Sequence, residues 1–164
     1  MNFQFYTEKL ENSNIFKKFK KENSGAYLAS GFFIIDKEGT DNQRHLDFYI
    51  PENKQMVSFK LNEEVEKIPV EIIPNVVPKK IKLDFDFDFK EVEKLILEEM
   101  KKQNIDKKLQ KILISLQNVD GKPMLICTVF IAMMGLLTVH IDVSDMKITL
   151  FEKKSFFDIM KRVK

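Results

Sequence analysis

The sequence predicts an α+β fold, with helices packed on antiparallel sheet in two similar αβββ-like units. Three observations predict it. Short runs alternate apolar and polar residues with the period of two of half-buried strands. Two stretches place apolar residues at helical spacing behind capping signals. Leu46, Phe48, Ile50, Val57 and Phe59 also superpose without a gap on Leu137, Val139, Ile141, Ile148 and Leu150. The 164 residues form one compact domain on this reading, with pseudo-repeat halves 1–61 and 88–152. A Pro-containing connector, 62–80, and a strand, 81–87, join the halves.

The first 25 residues read as a short helix. Ser13 caps it, Ile15, Phe16 and Phe19 form its apolar face, and Lys17, Lys18, Lys20 and Lys21 form its wet face. Gly25 sits where a helix-ending left-handed residue belongs. Residues 26–36 are rich in Phe and Ile and read as a strand buried on much of both faces. Residues 37–42 read as a turn. Leu46, Phe48 and Ile50 then alternate with Asp47 and Tyr49, and 56–61 alternates again. Pro69, Pro74 and Pro78 break any helix across 62–80, where 70–73 reads as a short edge strand.

The second half opens on the clearest local signal. Ile81, Leu83, Phe85 and Phe87 alternate with Lys82, Asp84 and Asp86, which predicts a strand. It runs into a helix capped by Asp88, with Glu91 completing a capping box and Phe87 and Val92 forming a staple. That helix buries Phe89, Val92, Leu95, Ile96 and Met100 and stops at Asn104. Strands follow at 111–118, 123–131, 136–143 and 147–152, the first closed by an Asp120-Gly121 turn. A last helix starts from the capping box at Ser155, with Phe156, Ile159, Met160 and Val163 above a basic final turn.

Composition narrows the function. Charges nearly balance, at 27 basic and 25 acidic residues, so there is no strong field for nucleic acid. Arg44 and Arg162 are the only arginines, and arginine is the residue suited to forked phosphate and base contacts. Lysine pairs at 17–18, 20–21, 79–80, 101–102, 107–108 and 153–154 are scattered along a solvated surface. Cys127 is the single cysteine, so no intrachain disulfide forms and a reducing interior is expected. The start, Met-Asn-Phe-Gln-Phe-Tyr-Thr-Glu, has neither the basic nor the apolar region of a leader, which points to the cytoplasm. From Pro123 to Ile141 no residue is charged, close to the roughly 20 residues of a spanning helix. Its Val, Ile and Thr content, Gly135, and polar Thr128, Thr138 and His140 favour two core strands instead.

Asp84, Asp86 and Asp88 are the sharpest polar constellation and the candidate metal site. Carboxylates two apart on a strand share a face, about 7 Å apart, and suit Mg²⁺ or Ca²⁺. The calcium-loop pattern fails downstream, where Phe89 replaces the needed Gly and Leu95 the needed Glu. The plainer reading makes Asp84 and Asp86 a wet strand face and Asp88 a helix cap. His140 shares a face with Thr138 and Asp142, and His45 has no ligand partner at metal spacing. Cys127 lies in an apolar strand, the setting of an inert thiol. The phosphate-loop, dinucleotide, nucleophile-elbow and zinc motifs are absent, so no catalytic residue and no cofactor is assigned.

Residues 88–152 carry Asp120-Gly121-Lys122-Pro123 before a strand, and then Leu-Thr-Val-His-Ile-Asp-Val-Ser-Asp-Met-Lys-Ile over 137–148. This half resembles a PepSY unit of cystatin-like shape, a helix laid across antiparallel sheet. Met146 stands at the family's usual Gly, and Leu125 near its usual Trp. The resemblance implies peptidase inhibition or chaperoning, or ligand or protein binding outside the cytoplasm. No functional residue transfers with it. The sequence therefore reads as a non-catalytic intracellular binding or assembly module, with the partner an unidentified protein or small ligand and a homodimer admitted. The concave sheet face under the helices is its candidate surface. The alternatives are a small metal-dependent enzyme using Asp84 and Asp86, and a membrane-associated protein using 123–141.

Overall fold

Alternating side chains give this chain its strands, and the strands join into one sheet. The computed structural model describes residues 2–71 and 76–155. The strands are β1 (Tyr27–Asp36), β2 (Gln43–Ile50), β3 (Gln55–Leu61), β4 (Val65–Val70), β5 (Leu109–Val119), β6 (Lys122–Ile131), β7 (Gly135–Asp142) and β8 (Lys147–Ser155). They form an eight-stranded sheet in the order β4-β3-β2-β1-β5-β6-β7-β8, with each neighbouring pair antiparallel. Among the described residues the helices are α1 (Phe3–Glu11), α2 (Asn14–Glu22) and α3 (Phe89–Lys102).

The expected α+β pair of αβββ units is corrected by this sheet. The fold is β-rich, and the sheet runs continuously through both halves of the chain. The cause lies in β1 and β5. Each carries large apolar residues on both faces, Phe32 beside Phe33 and Leu113 beside Ile114, so neither suits an exposed edge. They pair with each other, Phe33 opposite Ile114 and Ile35 opposite Ile112. The residues that superpose in sequence also take unlike places. β2 lies next to β1 at the centre, whereas β6 separates β7 from β5.

Helices cover one face of the sheet. There Phe33, Leu46, Phe59, Ile112, Ile114, Leu125, Val129 and Val139 are buried against helical side chains. The surface expected to hold a ligand beneath the helices is thus filled core. Phenylalanine does the filling in a chain without tryptophan. Phe16 and Phe19 of α2 meet Phe48 and Phe59 at centroid distances of 5.1 Å each. Phe89 opens α3 against Phe33 at 4.9 Å, and Val92, Ile96 and Met100 complete the buried stripe of α3. On the opposite face Phe32, Ile126, Phe130, Leu136 and Leu150 are half-buried among Ser115, Thr128, Thr138 and His140.

The helical start is two helices, not one. Asn2 caps α1 by accepting the Phe5 N–H at 3.1 Å, and Ser13 caps α2 by accepting the Phe16 N–H at 3.3 Å. Gly25 is not the left-handed stop, because α2 ends on Asn23 with φ −134°. Left-handed backbone instead marks the hairpins. Asp120 (φ 52°) and Gly121 (φ 86°) make the two-residue β5–β6 turn, and Met146 (φ 51°) occupies the β7–β8 turn. The uncharged run 123–141 forms β6 and β7 around a tip at Met133 and Met134, and among the described residues no helix is long and apolar enough to cross a membrane. The edge strand expected at 70–73 forms earlier, as β4. Part of that expected range and the expected helix after Ser155 lie outside the described residues.

Residues 81–87 are not a strand of the sheet, which is the other correction to the expected elements. The Ile81 N–H reaches the Leu28 carbonyl at 2.9 Å, and the Phe87 carbonyl accepts the Phe3 N–H at 2.8 Å. Between those points aromatic packing holds the segment down. Phe85 and Phe87 stack nearly parallel on the Phe3 ring at 5.4 and 5.1 Å, while Phe3 meets Phe33 edge-on at 6.2 Å. One side chain thus joins helix, connector and sheet. Phe3→Ala is predicted to cost about 3–5 kcal/mol in a urea titration followed by circular dichroism. Leu83→Ala, at a residue 47% exposed, should cost under about 0.5 kcal/mol. Equal small losses from both would overturn the central role given to Phe3.

Candidate functional site

A cleft opens at one end of the sheet, where the connector passes the β5–β6 and β7–β8 turns. Its volume is about 680 Å³, within the range of roughly 300–1,000 Å³ that holds small ligands. One wall is the connector from Lys80 to Asp86. The other is built from Asn118, Gly121, Lys122 and Pro123, with Val143 and Ser144 beyond them. Two features singled out in the sequence therefore meet here: the aspartate run and the Asp-Gly-Lys-Pro turn.

Asn118 fixes the two walls at their base. Its Nδ2 donates to the Lys80 carbonyl at 2.8 Å, and its Oδ1 accepts the Gly121 N–H at 2.9 Å. Nearby the Tyr27 hydroxyl donates to the Pro78 carbonyl, and the Val143 N–H reaches the Pro123 carbonyl at 3.2 Å. Polar contacts thus set the width of the cleft and apolar packing on Phe3 sets its depth.

The charge of the lining is carried by Lys80, Lys82 and Lys122 against Asp84 and Asp86. The carboxylates are not equivalent. Asp86 is engaged: Oδ1 accepts the Gln4 N–H at 2.8 Å and Oδ2 accepts from Asn2 Nδ2 at 2.7 Å, so it supplements the cap of α1. The short distances suit charge-assisted bonds at a helix N-terminus. Lys122 Nζ stands 3.8 Å from Asp142, a loose pair with the lysine 68% exposed, worth little in water. Lys80, Lys82 and Asp84 are left facing solvent around the opening, which gives the rim a net positive balance.

The aspartates expected to hold a metal are thereby separated in role. Asp86 serves α1, Asp88 caps α3 through the Lys90 N–H at 2.8 Å, and Asp84 stays at the rim. Among the described residues no group of three His, Cys, Asp or Glu side chains could hold a metal ion. The predicted Asp88 cap is present as read.

The other singled-out residues lie elsewhere. His45 is on the sheet face without helices, with Nδ1 3.4 Å from Ser58 Oγ and Nε2 3.1 Å from Gln43 Oε1. Burial holds its pKa below the ordinary value, against the opposing pull of Asp47. Asp142 is mostly buried and accepts the Ser144 N–H at 3.0 Å, so it shapes the β7–β8 turn beside the cleft. Cys127 is fully buried in β6, and burial pushes its thiol up to about 12. A thiol so enclosed says nothing of the redox compartment. Sequence reasoning missed Lys80, Lys82, Lys122 and Asn118 as members of a site. Lys80 and Lys82 sit in a lysine-rich segment and Lys122 at a turn, and nothing local marks their convergence.

No family model matches the chain, and no curated protein matches it. Among solved structures it is similar to a putative lipoprotein from Clostridium difficile 630, at 11% identity and a TM-score of 0.59, covering 86% of this chain and 91% of that one. At that identity the likeness is one of fold. It covers more of the chain than either half.

Two predictions follow from this geometry. Asp86→Ala should cost about 1 kcal/mol by removing the supplementary cap, and Mg²⁺ or Ca²⁺ should shift the melting temperature of neither form; a saturable shift confined to wild type would restore the metal reading. The Cys127 thiol ionises near 9.0 when unfolded and near 12 when folded. Its contribution to stability is therefore whole below pH 9 and is lost as pH rises from 9 towards 12. Urea midpoints of wild type and Cys127→Ala should converge across that window. Parallel curves would sink the assignment.

Proposed function

We propose that this protein is a non-catalytic binding module that takes an acidic segment of a partner into the lysine-rimmed cleft. The observation that carries the reading is the convergence of Lys80, Lys82 and Lys122 around one opening whose walls are fixed by Asn118. Three cations from two separate parts of the chain, the connector and the start of β6, raise the local positive potential that draws an anionic group. Ile81, Phe85, Pro123 and Val143 around them supply the apolar contact that a charge alone lacks.

The lining pairs no nucleophile with a base. Its hydroxyl, Ser144, sits in a turn beside Asp142, and both histidines and the cysteine lie outside it. Binding thus accounts for the residues present without a reaction. Because Cys127 is enclosed, the same module would work in a reducing or in an oxidising compartment.

The test is a selection of displayed random peptides on the immobilised protein. Wild type should enrich acidic peptides, and the Lys80→Glu, Lys82→Glu, Lys122→Glu form should lose that enrichment while keeping its fold. Enrichment indifferent to charge, or equal on both forms, would sink the reading.

A further inference from the structure

We infer that the connector residues 82–86 are a docking edge for an extended peptide, which joins the protein by backbone pairing inside the cleft. The inference rests on the cleft reading above and adds the mode of recognition. Its basis is the hydrogen-bond inventory of the connector. The Ile81 N–H is bonded to Leu28 and the Phe87 carbonyl to Phe3. Between them, the backbone N–H and C=O groups of residues 82–86 form no hydrogen bond among the described residues. Backbone groups are obligatory hydrogen-bonding groups, and a row of them along an edge is a template for another strand.

The segment has the shape the pairing needs. Phe85 and Phe87 lie on the same side, their rings 6.4 Å apart and 15° from parallel, both stacked on Phe3. Side chains at i and i+2 on one side are the mark of extended backbone. Anchoring through Phe3 holds the edge in place before any partner arrives, which reduces the ordering cost of binding. The sequence reads as a strand here, yet no strand of the sheet pairs with it, so its alternation is left without a partner.

The cleft specifies the occupant. A strand laid along 82–86 fits between the connector and the wall at Lys122, Pro123 and Val143. A peptide there gains main-chain bonds for affinity and places alternate side chains for specificity. An acidic residue on one side meets Lys80, Lys82 and Lys122. A neutral polar residue suits the stretch beside Asp84 and Asp86, and apolar alternates suit Leu83 and Phe85. The partner chemistry is thus an extended segment of apolar residues alternating with an acidic and then a neutral polar residue.

The probe is the capped peptide Val-Glu-Val-Thr-Val, titrated into the isotopically labelled full chain and followed at the backbone amides. The expected result is that amides 82–86 shift most and exchange more slowly with solvent. One of the two alternately N-methylated forms, which keep the side chains and lose ladder donors, should bind about tenfold or more weakly. The Lys82→Glu, Lys122→Glu form should lose the probe and prefer Val-Lys-Val-Thr-Val. If both N-methylated forms bind like the parent while the lysine variant binds weakly, the backbone pairing falls and the cleft reading stands. If no peptide binds either form, both fall. Amides 82–86 already protected in the free protein would mean that the edge is occupied, and would overturn the pairing.

Discussion

The contact on which the architecture turns is the stack of Phe85 and Phe87 on Phe3. The connector must travel from β4, at one end of the sheet, back to its centre, where β5 continues beside β1. Among the described residues no strand pairs along that return path, and Leu28 and Asn118 hold only its start at Ile81 and Lys80, so something else must seat residues 85–87. Aromatic stacking does, and it recruits α1 at the same time, because Phe3 also meets Phe33 on the sheet. The backbone contacts at Phe3–Phe87 and Asn2–Asp88 then follow. With the connector seated, Asp88 is placed to start α3 over the second half of the sheet. Helix α3 therefore depends on a ring donated from the other end of the chain.

This dependence explains why the two halves do not behave as independent units. β1 pairs with β5 through residues far apart in sequence, and such contacts carry a loop-closure cost before they stabilise anything. The Phe3 stack shortens that loop in effect, since it fixes residues 85–87 near the sheet. The half-buried face opposite the helices adds little to this cohesion. The buried side, filled by phenylalanine, carries it.

Much of the local structure was legible in the sequence. Ser13 and Asp88 cap helices as read, Asp120-Gly121 makes its turn, and the runs 46–50, 56–61 and 123–131 lie in strands, as does 136–143 up to Asp142. Met146 takes positive φ in the β7–β8 turn, a backbone demand that its residue type does not signal. What escaped was arrangement. Period-two alternation shows that a segment is extended and one-sided, not what it pairs with, so 81–87 read as a sheet strand. Nor does alternation tell one sheet from two, because the β1–β5 pairing has no turn to announce it. The cleft was illegible for a related reason. Lys80 and Lys122 are ordinary surface lysines until Asn118 draws their segments together.

The two ends of the sheet are not alike. At β4, Pro69 removes one backbone donor, and Glu66 and Lys67 put charge on the exposed strand. Strand β8 has no proline. An open sheet whose two ends could meet would add copies head to tail into a fibre, because a contact between unlike surfaces need not close. Blocking one end breaks that chain reaction. Two copies meeting through β8 would present the same strand to each other, and such an assembly is finished at two. Pro69 thereby makes the β4 end a poorer template for such addition.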